Sequence, residues 1–189
     1  MAFTERSEPT RTAILAAARR RFGDDGYERT TVRAVAADAG VDPSMVMRYF
    51  ESKDGLFNAA IAVDLQLPDL RGVPPEEIPA RLARHFVDRW EGDLADEAIM
   101  ILLRSAVTNP TAAERLRSVF STQVTGAVRA LTGDAPGSPT RAGLLSTQLL
   151  GLALCRYILR LPPVVALSPA QVVEALTPIL REILLGPLP

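Results

Sequence analysis

The sequence is poor in the residues that carry metal, redox and hydrolytic chemistry. It holds one cysteine, Cys155, and one histidine, His85. A single cysteine excludes an intramolecular disulfide and suits a reducing compartment, so a cytoplasmic location is expected. One histidine and one cysteine, far apart and without an accompanying motif, build neither an ordinary zinc site nor an activated nucleophile. A glycine-rich phosphate loop is also lacking. No enzymatic activity, cofactor or metal is therefore expected. Long hydrophobic runs are missing too: the most apolar stretch, AGLLSTQLLGLALCRYILRLPPVV, is interrupted by Ser146, Gln148, Arg156 and Arg160. That disfavours a membrane span. The start, MAFTERSEPTRTAIL, is charged and has no apolar core, so it does not read as a signal peptide. Charge of one sign is absent as well. Against 21 basic residues stand 22 acidic ones, a formal net charge of -1. The whole chain is not a basic coat for nucleic acid, and any such contact must come from local placement.

What is present is helical pattern, with almost no strand alternation. With 189 residues, 48% of them hydrophobic, the chain can bury a real core. The first helix is expected over about 10–22, with Ile14, Leu15, Ala18 and Phe22 as its apolar stripe and GDDGY as its stop. Thr30 or Thr31 caps a second helix that ends near Asp38. Gly40 turns the chain. Asp42 caps a third helix with Pro43 in its first position, and Ser52 caps a fourth, KDGLFNAAIAVDLQL. Pro68 and RGVPPEEIP then read as a linker. Further helices are expected over about 77–91, 94–108, 111–131, 140–161 and 169–185. The fold class is all-α: a three-helix N-terminal unit over 1–55 and a larger helical domain over 56–189, about nine helices in all.

The stretch TTVRAVAADAGVDPSMVMRYFESK places two short helices on either side of a tight turn. Helices that short are marginal alone, so packing must hold them. Val32, Val35, Ala36 and Ala39 share one face, and Val46 and Phe50 lie four apart on the next helix. With Val41, Ile14, Ala18 and Phe22 they can form one small core. Ser44, Met45, Met47, Arg48 and Tyr49 are left at or near the outside. Short polar groups, adaptable apolar groups and an aromatic hydroxyl suit a helix lying in a DNA major groove. Thr31 and Lys53 open the flanking helices, where backbone N–H groups, a hydroxyl and an ammonium can converge on phosphate. Arg33 is placed for base edges or phosphate. Met1 to Phe57 carries nine basic and nine acidic residues, so binding would rest on where the charges sit. Arg6 and Arg11 are expected to form a flexible basic arm. From these residues alone a helical unit that binds only protein stays open.

The run ILAAARRRFGDDGYERTTVRAVAADAGVDPSMVMRYFESKDGLFNAAI resembles the TetR family of transcriptional repressors. Phe22-Gly23, Gly26-Tyr27, Thr31, the AGV turn, the RYF run and SKDGLF carry the likeness. The resemblance implies a helix-turn-helix domain that contacts double-stranded DNA through Thr31, Arg33, Ser44, Met45, Met47, Tyr49 and Lys53, with Lys53 on phosphate. Met47 departs from the pattern, which usually has tyrosine there; methionine offers phosphate no useful hydrogen bond. The resemblance also implies a helical C-terminal domain that dimerises through its last two long helices and encloses a small-molecule pocket. Phe86, Trp90, Met100, Leu103, Arg104, Phe120, Gln123, Gln148 and Cys155 lie on the helices expected to line it, and each is equally at home in a plain core. In the helix over 140–161, Leu145, Leu149, Leu152 and Ile158 or Leu159 form one stripe; Leu144, Gln148, Gly151 and Cys155 form another. Two stripes suggest burial against both core and partner. The function so implied is a ligand-responsive, sequence-specific repressor that binds a near-palindromic operator as a homodimer and is released by a small molecule.

Overall fold

The computed structural model describes residues 8–92, 97–133, 135 and 137–188. All regular structure among them is helical, with nine helices of seven residues or more. The chain packs as two compact units, one taking in residues 8–63 and 97–116, the other 64–92 and 117–188.

The first unit begins with α1 (Glu8–Arg29), followed by α2 (Val32–Asp38), α3 (Pro43–Phe50) and α4 (Lys53–Ala60). Each of the last three starts on a side-chain cap. Thr31 Oγ1 accepts from Ala34 N at 3.1 Å, Asp42 Oδ1 from Ser44 N at 2.8 Å, and Ser52 Oγ from Gly55 N at 2.9 Å. Such caps satisfy amide groups that a helix start leaves without partners. Of the two adjacent threonines, Thr31 is the cap, while Thr30 is buried with its hydroxyl 2.8 Å from the Gly26 carbonyl oxygen. The expected first helix stopped at Phe22; α1 instead continues to Arg29, broken only at Gly26, whose φ of 76° and ψ of 174° suit glycine alone. Gly23 keeps helical backbone within α1, at the modest cost glycine carries in a helix interior. The fourth helix was expected to reach Leu67, but α4 ends at Ala60, whose carbonyl accepts from Arg19 Nε at 3.2 Å. A guanidinium at a helix C-terminus is favoured by the helix dipole.

The core of this unit joins Ile14, Ala17, Ala18 and Phe22 of α1 to Val35 and Ala36, Val46 and Phe50, and Leu56, Phe57 and Ala60 of the next three helices. Gly55 is demanded by close approach: a Cβ there would collide with the Phe50 carbonyl oxygen. A later helix, α6 (Glu97–Ser105), also packs on α1, burying Ala98, Ile101 and Leu102. Arg6 lies outside the described residues. Arg11 is not part of a loose arm; it sits in α1, 5.6 Å from the centre of the Phe50 ring and 3.8 Å from Glu8.

In the second unit α5 (Ile78–Glu91) packs against the last helix, α10 (Pro169–Leu185), which buries Val172, Leu176, Leu180 and Leu184 at four-residue spacing. After α6 and the first residues of α7, which belong to the first unit, the chain returns to the second through the rest of α7, α8 and the short α9 (Pro162–Val165). α7 comprises Pro110–Val119, a π-helical turn at Phe120–Val124 and Thr125–Thr132; α8 comprises Ser138–Ala153 and a second π-helical turn at Leu154–Ile158. Hydrophobic periodicity does not announce a π turn, which inserts one residue and rotates the rest of the helix about its axis.

Candidate nucleic-acid interface

α3 is held by Val46 and Phe50, so its other faces are left outward. Ser44 and Arg48 are exposed, Met47 retains 45% of its accessible surface, and Met45 and Tyr49 are half-buried. Thr31 and Arg33 are exposed on α2. The Thr31 oxygen already caps α2, yet its O–H remains able to donate.

Lys53 is fixed more firmly than its surface position requires. Its Nζ donates to the Glu28 carbonyl at 3.2 Å and lies 4.3 Å from the centre of the Tyr27 ring. Thus the ammonium is brought to the chain just ahead of Thr31, and the starts of α2 and α4 serve one neighbourhood. Tyr27 donates its phenolic hydrogen to Asp54, and this bond, before burial, pushes its pKa up to about 12. The sequence offered Tyr27 only as part of a family pattern. Its role depends on a bond across 27 residues, which local spacing cannot reveal.

The balanced charge count of the head is resolved by pairing. Arg21 donates to both carboxylate oxygens of Asp38, at 2.6 and 2.9 Å, and reaches Asp25 at 3.4 Å. The Arg21 hydrogen bond holds the Asp38 carboxyl below its usual range. Asp42 is lowered in the same sense by the Ser44 hydroxyl and then the Ser44 N–H. These acids are engaged at turns and caps, while Arg33 and Arg48 stand exposed. A near-neutral domain can therefore present a basic face.

The candidate pocket residues are divided between the two units. Met100 and Leu103, half-buried, and Arg104, exposed, belong to α6 in the first unit. In the second, Phe86 is buried on α5, its ring 6.2 Å from Trp90 and 6.3 Å from Tyr157; Trp90 stacks on Tyr157 at 4.6 Å with the planes 2° apart. Tyr157 was not among the expected residues; it comes to Trp90 through the π turn of α8. Phe120 and Cys155 are half-buried within the two π turns, and Gln148 is exposed on α8. The Gln123 side-chain oxygen accepts from Leu65 N at 2.8 Å, and His85 Nε2 lies 2.9 Å from Leu65 O. Half-burial lowers the His85 pKa. Among the described residues no helix is long and apolar enough to cross a membrane, and no group of three or more acidic, histidine or cysteine side chains is arranged to hold a metal.

Two family patterns match this chain. The one described as bacterial regulatory proteins, tetR family, spans residues 14–60, and the one described as tetracyclin repressor-like, C-terminal domain, spans 76–184. The HTH-type transcriptional regulator UidR of Escherichia coli (strain K12) is 33% identical over 82 residues, which make up 43% of this chain and 39% of UidR. The match thus spans well under half the length of that relative. A TetR-family regulator from Streptomyces coelicolor A3 shares 28% identity over 97% of this chain and 99% of its own, with a TM-score of 0.65. NalD, the secondary repressor of the MexAB-OprM multidrug efflux pump in Pseudomonas aeruginosa, has the same fold at 23% identity, with 95% and 97% covered and a TM-score of 0.65. With α3 presented as described and both family patterns in chain order over most of its length, this chain belongs to the TetR family, whose members are DNA-binding transcriptional regulators and not enzymes.

Proposed function

We propose that the chain is a cytoplasmic, homodimeric repressor that reads a near-palindromic operator and is released by a small molecule. Residues 1–55 form the reading head and 56–189 the regulatory and dimerising part. The observation that carries this reading is the outward face of α3 together with the anchored Lys53 ammonium. Ser44, Met45, Met47 and Tyr49 meet the major groove; Thr31, Arg33 and Lys53 meet phosphate, with Arg33 also near base edges. NalD, named as a repressor, shares the fold and supports the sign of regulation.

The dimer reading rests on two faces of the second unit. On α8, Leu145 is buried, while Leu144, Gln148 and Gly151 on the other stripe are exposed. On α10, Ile179 and Leu185 keep 43% and 48% of their surface beside a fully buried row. Exposed apolar side chains on two helices that pack together favour a partner, and the same two helices on a second copy are the proposed one. An effector pocket is proposed in the second unit, with Phe86, Trp90, Phe120, Gln123, Gln148 and Cys155 as its candidate lining. Its aromatic members favour a largely apolar ligand with a few oriented polar groups.

The test is selection of operator fragments from random DNA, followed by titration across salt with sedimentation to fix the stoichiometry. One dimer per site is expected. A Lys53→Ala, Tyr49→Ala variant should bind roughly a hundredfold more weakly, with the salt slope reduced by about one per half-site. Weak binding, equal for unrelated DNA and unchanged in the variant, would favour a protein-binding module, and pull-down partners would then be sought.

Met47 supplies a separate expectation. An exposed thioether chain in the groove suits the thymine 5-methyl group. Replacing operator thymines by deoxyuridine one at a time should cost roughly fourfold at the contacted base. Met47→Ala should lose that sensitivity. Equal binding of every deoxyuridine operator by the native protein would exclude the contact.

A further inference from the structure

The seat of Lys53 is unusual for a structural ion. An ammonium kept for stability would be expected to pair with a carboxylate, and Asp54 is its neighbour in the chain. Instead the Asp54 carboxylate accepts the Tyr27 hydroxyl, and the ammonium rests on the face of the Tyr27 ring and the Glu28 carbonyl. Among the described residues no carboxylate forms an ion pair with it, so its charge is held but not cancelled. A lysine in the first turn of a helix also opposes the helix dipole, so local energetics do not ask for it. Every other basic residue of the chain is arginine. Only here is the compact, three-donor ammonium used, and one donor to Glu28 leaves two for an anion.

The ring itself is fixed on several sides. Phe22 stacks at 6.2 Å, and Phe57 packs in an edge-to-face arrangement at 4.9 Å. The backbone leading into it is set by the Gly26 conformation and by Thr30, whose hydroxyl lies 2.8 Å from the Gly26 carbonyl oxygen. Tyr27 therefore contacts both the core rings and the ammonium.

We propose that Tyr27 is a positioning residue for DNA binding: its ring pre-places the Lys53 ammonium for a backbone phosphate, and its hydroxyl keeps the Asp54 carboxylate from competing for that ammonium. This rests on the reading of Lys53 as a phosphate contact. Holding the cation in place before the encounter removes the entropy of ordering a long side chain at the moment of binding, and the ring quadrupole holds it without neutralising it.

The test uses the full-length protein and an operator recovered by selection. Lys53→Ala establishes the phosphate contact through loss of affinity and of about one unit of salt slope per half-site. Phenylalanine and its mono-, di- and trifluoro derivatives are then placed at position 27, because fluorine drains the ring quadrupole with little change in size. Affinity should fall stepwise with fluorine number, by roughly threefold per half-site across the series. The series should be flat when Lys53→Ala is also present. Tyr27→Phe lets Asp54 approach Lys53 and should weaken binding; adding Asp54→Asn should restore it. A flat series with Lys53 present, in protein whose Lys53→Ala variant does lose affinity, would overturn the role of the ring and leave the phosphate contact standing. Unchanged affinity and slope in Lys53→Ala would overturn the phosphate contact and the inference with it.

Discussion

Phe57→Ala is expected to destabilise the first unit, on which the reading head is built, by about 3–5 kcal/mol, the cost of removing a fully buried phenylalanine. Phe57 has no exposed surface, and its ring lies 4.9 Å from both Phe22 and Tyr27 in edge-on arrangements. Loss of those pairs adds to the loss of buried area. Because small domains hold only about 5–15 kcal/mol in total, this single change removes a large share of the margin. DNA affinity should fall as well, since Tyr27 would lose the ring that backs it. Urea unfolding followed by circular dichroism measures the first effect and operator titration the second. Phe57→Leu, closer in volume, should lose less than half as much. A midpoint unchanged in Phe57→Ala would show that the ring is not part of the core.

Glu91→Ala should be the most damaging change in the second unit among side chains that are not apolar. Arg156 is nearly buried, its Nε 2.6 Å from Glu91 Oε1, and Tyr157 donates to the same oxygen at 2.6 Å. Without Glu91 the guanidinium keeps the Val164 carbonyl at 2.5 Å but loses its counter-charge. Breaking a buried pair costs about 3–5 kcal/mol; because the Glu91 side chain is 27% exposed, water offsets part of this, and about 2–3 kcal/mol is expected. For a chain of this length that lowers the melting temperature by roughly 5–10 °C.

The same pair predicts an acid limb. The Arg156 hydrogen bond holds the Glu91 carboxyl below its usual range. The unfolded chain therefore takes up that proton first as pH falls. The stabilisation is full above about pH 4.3 and is lost as pH drops through the lower folded value. Glu91→Gln should flatten this part of the stability profile below about pH 4.3. His85, lowered by burial, acts in a separate window: below about pH 6.5 the unfolded chain gains its proton first, and stability declines. Urea midpoints measured between those two ranges separate the residues. Identical acid limbs in Glu91→Gln and the native protein would remove Glu91 from this account.

Caps, turn and exposed face of the short helix pair were legible because each depends on residues within a few positions of one another. Thr31, Asp42 and Ser52 bond amides two or three residues ahead, Gly40 takes a φ of 66°, and Val46 and Phe50 turn inward at four-residue spacing. The all-helical class comes from the same short-range periodicity. By itself, then, the sequence determined which helices form in the head and which of their faces are apolar.

Tertiary structure decided what those faces meet and where long segments stop. α4 ends at Ala60, with Arg19 on its last carbonyl, although KDGLFNAAIAVDLQL continues an apolar pattern. Beyond it Leu65 bonds Gln123 and His85 instead of the next helical turn. The π turns at Phe120–Val124 and Leu154–Ile158 bring different residues round, Tyr157 onto Trp90 among them. Tyr27, Asp54 and Lys53 meet only because α4 packs beside the end of α1. The physical reason is common to all of these. Caps and periodicity act over one or two helical turns, whereas a helix end that finds a distant side chain, or a cation that finds a distant ring, draws its free energy from contacts the chain makes only once it has folded.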